Sequence, residues 1–257
     1  MMHSHRRHEL IMEALLASQE VTVTELSERL NVTGKTIRED LAKLEEKGLL
    51  IRIHGGAVLA HNDQLGILSQ KEPLVRHAAE KAEIAELALR LIEPGDIIAL
   101  DGGSTTLEIA RRLANKPLTV VTNDVHIIAE LARKDEIRLV VPGGYRVRNM
   151  LAGTEATAYI RKLNISKAFL SATGVHPEFG FTIYTGDLVD FKRALIETAK
   201  TVYAAVDHHK FGQGALFTFA GFHEVAVVLT DAGMTKETAD QYRQAGASLQ
   251  VYADQER

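Results

Sequence analysis

The sequence predicts an α/β protein in two parts: a small helical domain ending in a β wing, then a larger domain built on a parallel sheet. Three observations predict it. Residues 6–58 run helix, helix, helix and a short β segment. From about residue 80 strands and helices alternate, the rhythm of a parallel sheet covered on both faces. Between them "AHNDQLGILSQKEP" carries Asn, Asp, Gly, Ser and Pro without a clean period, as a linker does. The expected boundaries are 1–59 for the first domain, 60–74 for the linker and 75–257 for the second domain.

Bulk properties exclude several classes. The 257 residues suffice for one medium domain with a small one attached, and 46% apolar with 25% charged residues is ordinary for a soluble protein. The absence of cysteine removes disulfides and thiolate metal sites and fits a reducing cytoplasm. No apolar run reaches membrane-spanning length, and "MMHSHRRHEL" lacks the apolar core of a secretory leader. A net charge of -4 requires any nucleic-acid contact to come from local placement of cations.

In the first region "RRHELIMEALLAS" sets Leu10, Ile11, Ala14 and Leu15 at helical spacing. "VTVTELSERL" reads as a second helix, with Thr22 and Glu25 spaced as a capping box and Leu26 and Leu30 on one face. "NV" turns the chain. Thr33 caps a third helix in which Ile37, Leu41 and Leu44 form the apolar stripe and Gly48 is the stop. Gly34-Lys35-Thr36 has the tail of a nucleotide phosphate loop, but that motif needs a glycine five residues before Gly34, where Arg29 stands.

Two short helices joined by a tight turn make a helix-turn-helix, whose second helix enters the DNA major groove by its N-terminal end. Thr33, Lys35, Thr36 and Arg38 lie there, off the apolar stripe, with groups suited to phosphates and base edges. "LLIRIHGGAVL" then alternates, placing Leu49, Ile51 and Ile53 on one side and Arg52 and His54 on the other, before a bend at Gly55-Gly56. This is the pattern of a β wing. The composition gives the bland alternative its weight: residues 1–60 carry eight Lys/Arg against nine Asp/Glu, so the domain is not basic overall.

"TGKTIREDLAKLEEKGLLIRIHGGA" resembles the N-terminal signature of DeoR-type bacterial transcriptional regulators. Thr36, Ile37, Arg38, Asp40, Leu41, Arg52, His54, Gly55 and Gly56 match the pattern. Glu39 stands where the family usually has a second arginine, which removes one expected phosphate contact. The resemblance extends over essentially the whole chain.

The second region opens with an amphipathic helix, "KAEIAELALRLIE", turned at Pro94-Gly95. Ile97–Leu100 reads as a buried parallel strand. "DGGSTT" follows and leads into a helix from about Thr105. A Gly-rich loop between strand and helix is a ready anion site, because free amides and the helix dipole favour negative charge; capping alone is the plainer role. "LTVVTND", "IRLVVPGG", "KAFLSATG", "TVYAAVDHHKFG", "EVAVVLTDAG" and "SLQVYA" read as further strands. Thr122-Asn123 would cap the helix "DVHIIAELAR", and "DLVDFKRALIETA" and "TKETADQYRQAG" are further helices. The Gly/Ser/Thr-rich loops follow strands, so several would gather at the carboxyl edge of the sheet, where ligands of such folds bind.

This half is similar to the sugar-phosphate-sensing domain of DeoR-type regulators, a Rossmann-like fold itself similar to ribose-5-phosphate isomerases. The resemblance implies that Asp101, Gly102, Gly103, Ser104, Thr105 and Thr106 hold an effector phosphate. It implies that Lys210 lies near the same phosphate and that Thr122, Asn123, Gly143 and Gly144 line the sugar end. Ser171-Ala172-Thr173-Gly174 replaces the isomerase's acidic segment, so Ser171 and Thr173 would contact the effector. Lys192 stands where the isomerase has a catalytic carboxylate. A proton shuttle needs a positioned carboxylate, so these departures imply binding without turnover.

Other histidines and arginines carry less. His3, His5 and His8 could bind a metal, though a frayed terminus is the simpler account. His208 and His209, taken as adjacent residues at a strand end, would point in opposite directions and form no metal site. Arg146 and Arg148 read as a solvated loop, with an effector or subunit contact as the alternative.

The sequence thus predicts a cytoplasmic repressor of a carbohydrate operon, not an enzyme, with no cofactor and no membrane contact. Its expected partners are double-stranded operator DNA, a phosphorylated sugar effector and its own copies in a homodimer or homotetramer. The alternative is a sugar-phosphate isomerase-like enzyme with an accessory helical domain.

Overall fold

The computed structural model describes residues 4–18, 20–46, 49–53, 55–59 and 77–252. The linker expected at 60–74, the helix stop at Gly48 and the wing residue His54 lie outside the described residues.

The first domain is ordered α1 (Ser4–Ser18), β1 (Glu20–Thr22), α2 (Val23–Leu30), α3 (Gly34–Glu46), β2 (Leu50–Ile53) and β3 (Gly56–Leu59). Ile11, Leu15, Leu26, Ile37, Leu41, Leu44 and Leu49 are fully buried and form its core. The capping box is present: Thr22 Oγ1 accepts from the Glu25 amide, and the Glu25 carboxylate accepts from the Thr22 amide at 3.0 Å. Asn31 closes α2 in the left-handed region at φ 51°, and the Thr36 amide donates to Thr33 Oγ1 at the start of α3.

Two expectations fail here for physical reasons. The segment from Val21 is not helical throughout. Glu20–Thr22 pairs antiparallel with β3, and the capping box delays the helix to Val23. The wing does not bury alternate residues: Leu49 and Leu50 are buried, whereas Ile51 and Ile53 are 50% and 39% exposed. β3 is the central strand of the three and buries Ala57 in the core, whereas β2 is an edge strand that leaves Ile51 and Ile53 exposed. Gly56 is required by close approach, since a Cβ there would lie 2.1 Å from the Val21 carbonyl oxygen.

The second domain contains α4 (Ala78–Arg90), β4 (Ile97–Leu100), α5 (Ser104–Arg112), β5 (Leu118–Val121), α6 (Val125–Leu131), β6 (Ile137–Val140), β7 (Tyr145–Val147), β8 (Met150–Ala152), α7 (Thr154–Ile160) and β9 (Ile165–Leu170). It continues with β10 (Gly174–His176), β11 (Gly180–Ile183), α8 (Val189–Thr198), β12 (Ala199–Ala205), β13 (Phe217–Ala220), β14 (Val227–Thr230), α9 (Lys236–Gln244) and β15 (Leu249–Val251). Seven strands form one parallel sheet in the order β15-β14-β12-β9-β4-β5-β6. Strand alternation sends Ile98, Leu100, Val120 and Phe169 to one face, under α4, α5 and α6. Ala99, Val121, Ala168 and Leu170 face the other way, under α7, α8 and α9.

The strand order reverses between β4 and β9. From β4 the chain builds outward through β5 and β6, then returns to β9 and builds the other way. In open α/β sheets the carboxyl side of that reversal is where a crevice forms. The sequence did not predict the β7–β8 hairpin or the small antiparallel sheet β10-β11-β13. Their strands are three or four residues long, too short for a legible period.

The two domains touch. Tyr184, just past β11, is buried in the apolar cluster of the first domain, with Ala215 and Leu216 packed beside it. Burial pushes the Tyr184 phenol well above its ordinary pKa. Glu9 and Glu13 of α1 line a cleft with Arg148, Tyr184 and Asp187.

Within the first domain, buried Asp40 of α3 accepts from Arg7 Nε at 2.7 Å and lies 3.0 Å from His8 Nε2, tying α3 to α1. Burial alone would raise the Asp40 pKa; the hydrogen bonds from Arg7 and His8 outweigh it and hold the carboxyl below its usual value. A depressed folded-state pKa gives stability that is present above the ordinary carboxylate range and lost as pH falls through the depressed value. Asp40→Ala should cost about 2–3 kcal/mol of first-domain stability at neutral pH. Thermal unfolding from pH 7 to pH 3 should show this difference shrinking in acid; a constant difference would remove Asp40 as its source.

Candidate functional site

The residues past β4 and β9 form one hydrogen-bonded knot. Asp101 Oδ2 accepts from the Ser171 amide at 3.0 Å and from Ser171 Oγ at 3.1 Å. Ser171 Oγ also lies 2.6 Å from the Gly102 carbonyl as a donor. Lys192, on the first turn of α8, donates to Asp101 Oδ2 and, at 2.8 Å, to the Ser171 carbonyl, with its ammonium 4.7 Å from the Phe219 ring centre. Asp101 and Lys192 are each 1% exposed. Both therefore clamp the two loops from beneath and do not line an open surface. Gly103 is forced by this closeness, because a Cβ would fall 2.6 Å from the Ser171 Cβ.

Above the knot stands the N-terminus of α5. Gly103 is its cap residue, in extended conformation, and no side chain caps the helix. The first amides of a helix have no partner inside it, so the amides from Ser104 onward form a cradle for an anion. Thr105 and Thr106 are buried, and Thr106 Oγ1 donates back to the Gly103 carbonyl at 2.9 Å.

Next to it, Thr122, Asn123 and Asp124 are buried past β5. The expected cap of α6 is displaced by one residue: Asp124, not Thr122-Asn123, accepts from the His126 and Ile127 amides. Asp124 directly precedes the helix and stands two and three residues before those amides, the spacing of an N-cap. Burial raises the Asp124 pKa, with the amide hydrogen bonds opposing. Its other oxygen accepts from Asn149 of the β7–β8 hairpin at 2.5 Å, and Asn123 Nδ2 donates to the Leu151 carbonyl. Met150 seals the loop, its Sδ lying where a Gly102 Cβ would be 2.2 Å away.

Gly143 and Gly144 follow β6, two strands from β4, and adopt φ of 84° and 109°. Gly144 is explained by packing, since its Cβ would lie 2.3 Å from the Ala152 carbonyl oxygen. On the other side of the reversal, Lys210 is half-buried past β12. Lys81 of α4 shares its neighbourhood with Asp207 and Lys210; burial lowers the Lys81 pKa, with Asp207 opposing. Lys81 was not anticipated, because burial of one lysine on an amphipathic helix leaves no sequence signal.

Among the described residues, three buried side-chain atoms at this edge have no hydrogen-bond partner: Asn123 Oδ1 past β5, Thr173 Oγ1 past β9 and Asp207 Oδ1 past β12. Two expectations about nearby residues are corrected. His208 and His209 lie on a helical turn, not a strand end, and their rings sit side by side, 3.8 Å apart and tilted by 37°. Arg148 is not in a solvated loop; it is half-buried at φ 58°, with Nη1 buried and unpartnered.

On the first domain, Lys35 and Arg38 are exposed at the start of α3, with Thr36 half-buried and Thr33 engaged as its cap. Glu39 approaches Lys35 at 3.9 Å. Arg52 is held by Glu45, its Nε 2.6 Å from the carboxylate. Gly55 supplies the wing turn at φ 81°.

An exposed recognition helix with a wing, joined to a parallel-sheet domain with an anion cradle, defines a DNA-binding protein that carries a sensor module. The chain matches the DeoR-like helix-turn-helix domain over residues 7–63 and the DeoR C terminal sensor domain over residues 76–232. It is 36% identical over 242 residues to FruR of Bacillus subtilis (strain 168), an HTH-type transcriptional regulator, covering 93% of this chain and 94% of that protein. The transcriptional repressor AccR of Agrobacterium fabrum is 34% identical over 88% of this chain and 89% of its own length. The HTH-type transcriptional repressor GlcR of Bacillus subtilis is 30% identical over 97% of each. Among solved structures, ribose 5-phosphate isomerase A of Methanocaldococcus jannaschii covers 51% of this chain and 53% of its own at 18% identity and TM-score 0.38, too loose a likeness to argue from. The chain belongs to the DeoR family: it is a DNA-binding transcriptional regulator, and the enzyme alternative is set aside.

If Lys192 is a clamp, removing it strands a buried carboxylate. Lys192→Met should cost about 3–5 kcal/mol in second-domain stability. Adding Asp101→Asn should recover part of that loss in chemical denaturation. Additive losses would mean the pair does not interact as drawn.

Proposed function

We propose that this chain represses a carbohydrate operon and that a phosphorylated sugar, bound at the carboxyl edge of β4, β5, β9 and β12, sets its affinity for operator DNA. The carrying observation is the trio of partnerless buried atoms, Asn123 Oδ1, Thr173 Oγ1 and Asp207 Oδ1, around the uncapped start of α5. Buried polar groups are nearly always satisfied, and each exception calls for a reason. A polyhydroxylated ligand supplies partners to the trio while its phosphate takes the α5 amides, with Lys81 and Lys210 in the neighbourhood of Asp207 adding positive charge to that edge. That AccR and GlcR are named repressors supports the sign of the regulation.

The route to DNA runs through the β7–β8 hairpin. Asn149 and Met150 contact Asp124 and Gly102, and Arg148 faces the cleft against Glu13 of α1. A ligand that prefers one hairpin position shifts the population of first-domain arrangements. Arg38 and Lys35 at the tip of α3 meet the major groove. Operators mirror the two-fold symmetry of their readers, so the working form is a homodimer or homotetramer.

A DNA-binding titration on the protein's own upstream region, with and without a panel of sugar phosphates, tests this. One sugar phosphate should release the wild type. Thr173→Val removes a hydroxyl that has no hydrogen-bond partner among the described residues, so operator affinity should hold while the response weakens about tenfold, one charge-assisted or neutral hydrogen bond's worth. A Thr173→Val protein that responds like wild type to every sugar phosphate would sink the site; absence of sequence-preferred DNA binding would sink the function.

A further inference from the structure

The geometry points to a divalent transition-metal site at His77, Glu80 and His209, on the flank of the sheet edge. One donor atom from each of the three lies within 4.8 Å of the other two. Glu80 Oε1 stands 3.6 Å from His77 Nδ1 and 3.8 Å from His209 Nε2. Metal–ligand bonds of about 2.0–2.1 Å put the donors of a tetrahedral ion roughly 3.3 Å apart. Small side-chain rotations therefore close this set on one ion.

The three donors come from two elements that the fold holds together. His77 and Glu80 sit one turn apart at the start of α4, and His209 lies on the helical turn after β12. All three are half-buried. The backbone at His77 supports a specific role. It is left-handed at φ 55°, a conformation that costs a non-glycine residue about 1–2 kcal/mol. Such strain persists where the surroundings require it. It brings the His77 ring to 3.9 Å from the His209 ring. On the far side His208 lies against His209 with the rings tilted by 37° and is held by Asp231 at 2.5 Å.

Two imidazoles and one carboxylate are the donor set of borderline ions such as Zn²⁺, and three protein ligands leave one position open. Lys81 follows Glu80 and Lys210 follows His209, so metal and anion binding would be coupled, each altering the other's affinity equally. That coupling rests on the sugar-phosphate reading; the metal site does not.

The test is a titration of the full chain with Co²⁺, read by its visible absorption and then displaced with Zn²⁺. The wild type should take up one Co²⁺ per chain with tetrahedral-type bands. His209→Ala and Glu80→Gln should each weaken binding tenfold or more, the loss typical of even outer partners of a metal site. The double variant His3→Ala with His5→Ala should leave binding unchanged. Unchanged affinity in His209→Ala and Glu80→Gln, loss in the His3/His5 variant, or no saturable uptake by the wild type would each overturn the site.

Discussion

The buried contact between Lys192 and Asp101 is the constraint on which the sensing half depends. It joins the two loops at the point where strand order reverses, and it does so with full charges out of water. Two such groups are tolerable only when each neutralises the other and further hydrogen bonds complete them. Ser171 provides those bonds, through its amide, hydroxyl and carbonyl. The consequence is that Asp101 and Lys192 are spent on holding the loops apart at a fixed spacing. Under the proposed reading, what remains for a ligand is the start of α5, the Thr173 hydroxyl, the Asn123 amide oxygen and the Asp207 carboxylate oxygen, together with lysines from neighbouring elements.

The first domain repeats the device at smaller scale. Asp40 gathers Arg7 and His8 of α1 and so fixes the angle between α1 and the recognition helix. Because α1 also borders the cleft with Arg148 and Tyr184, a change in the hairpin meets a rigid body and not a loose helix. Rigid two-body contacts transmit small shifts because packed cores do not deform continuously.

Much of this was legible in the sequence. The capping box, the stripe of Ile37, Leu41 and Leu44, and the strand-then-Gly/Ser/Thr pattern all encode local geometry, and the residues of each motif are neighbours in the chain. The central strand β4, Ile97–Leu100, is a continuous apolar run and was legible for the same reason. What was not legible depends on contacts between distant residues. Thr22–Val21 looked helical because β pairing with Gly56-Ala57 is a partner's property. Ile51 and Ile53 alternate correctly yet project beyond the core. Lys192 was recognised as unusual, but its burial against Asp101, 91 residues earlier, is set by topology. Lys81 and Asn149 gave no signal, and Arg148 was read first as a solvated loop residue, since a single polar residue becomes functional only by what the fold places opposite it.

The central claim is that one edge of the sheet binds the effector phosphate on the start of α5 and reports it through the hairpin to α1. Amide hydrogen exchange of the full chain, with and without the sugar phosphate that alters DNA binding, tests it most directly. The account predicts slowed exchange at Ser104–Thr106 together with altered exchange at Arg148–Leu151 and in α1. Protection confined to another face of the sheet, or protection at Ser104–Thr106 with α1 and the hairpin unaffected, would contradict it.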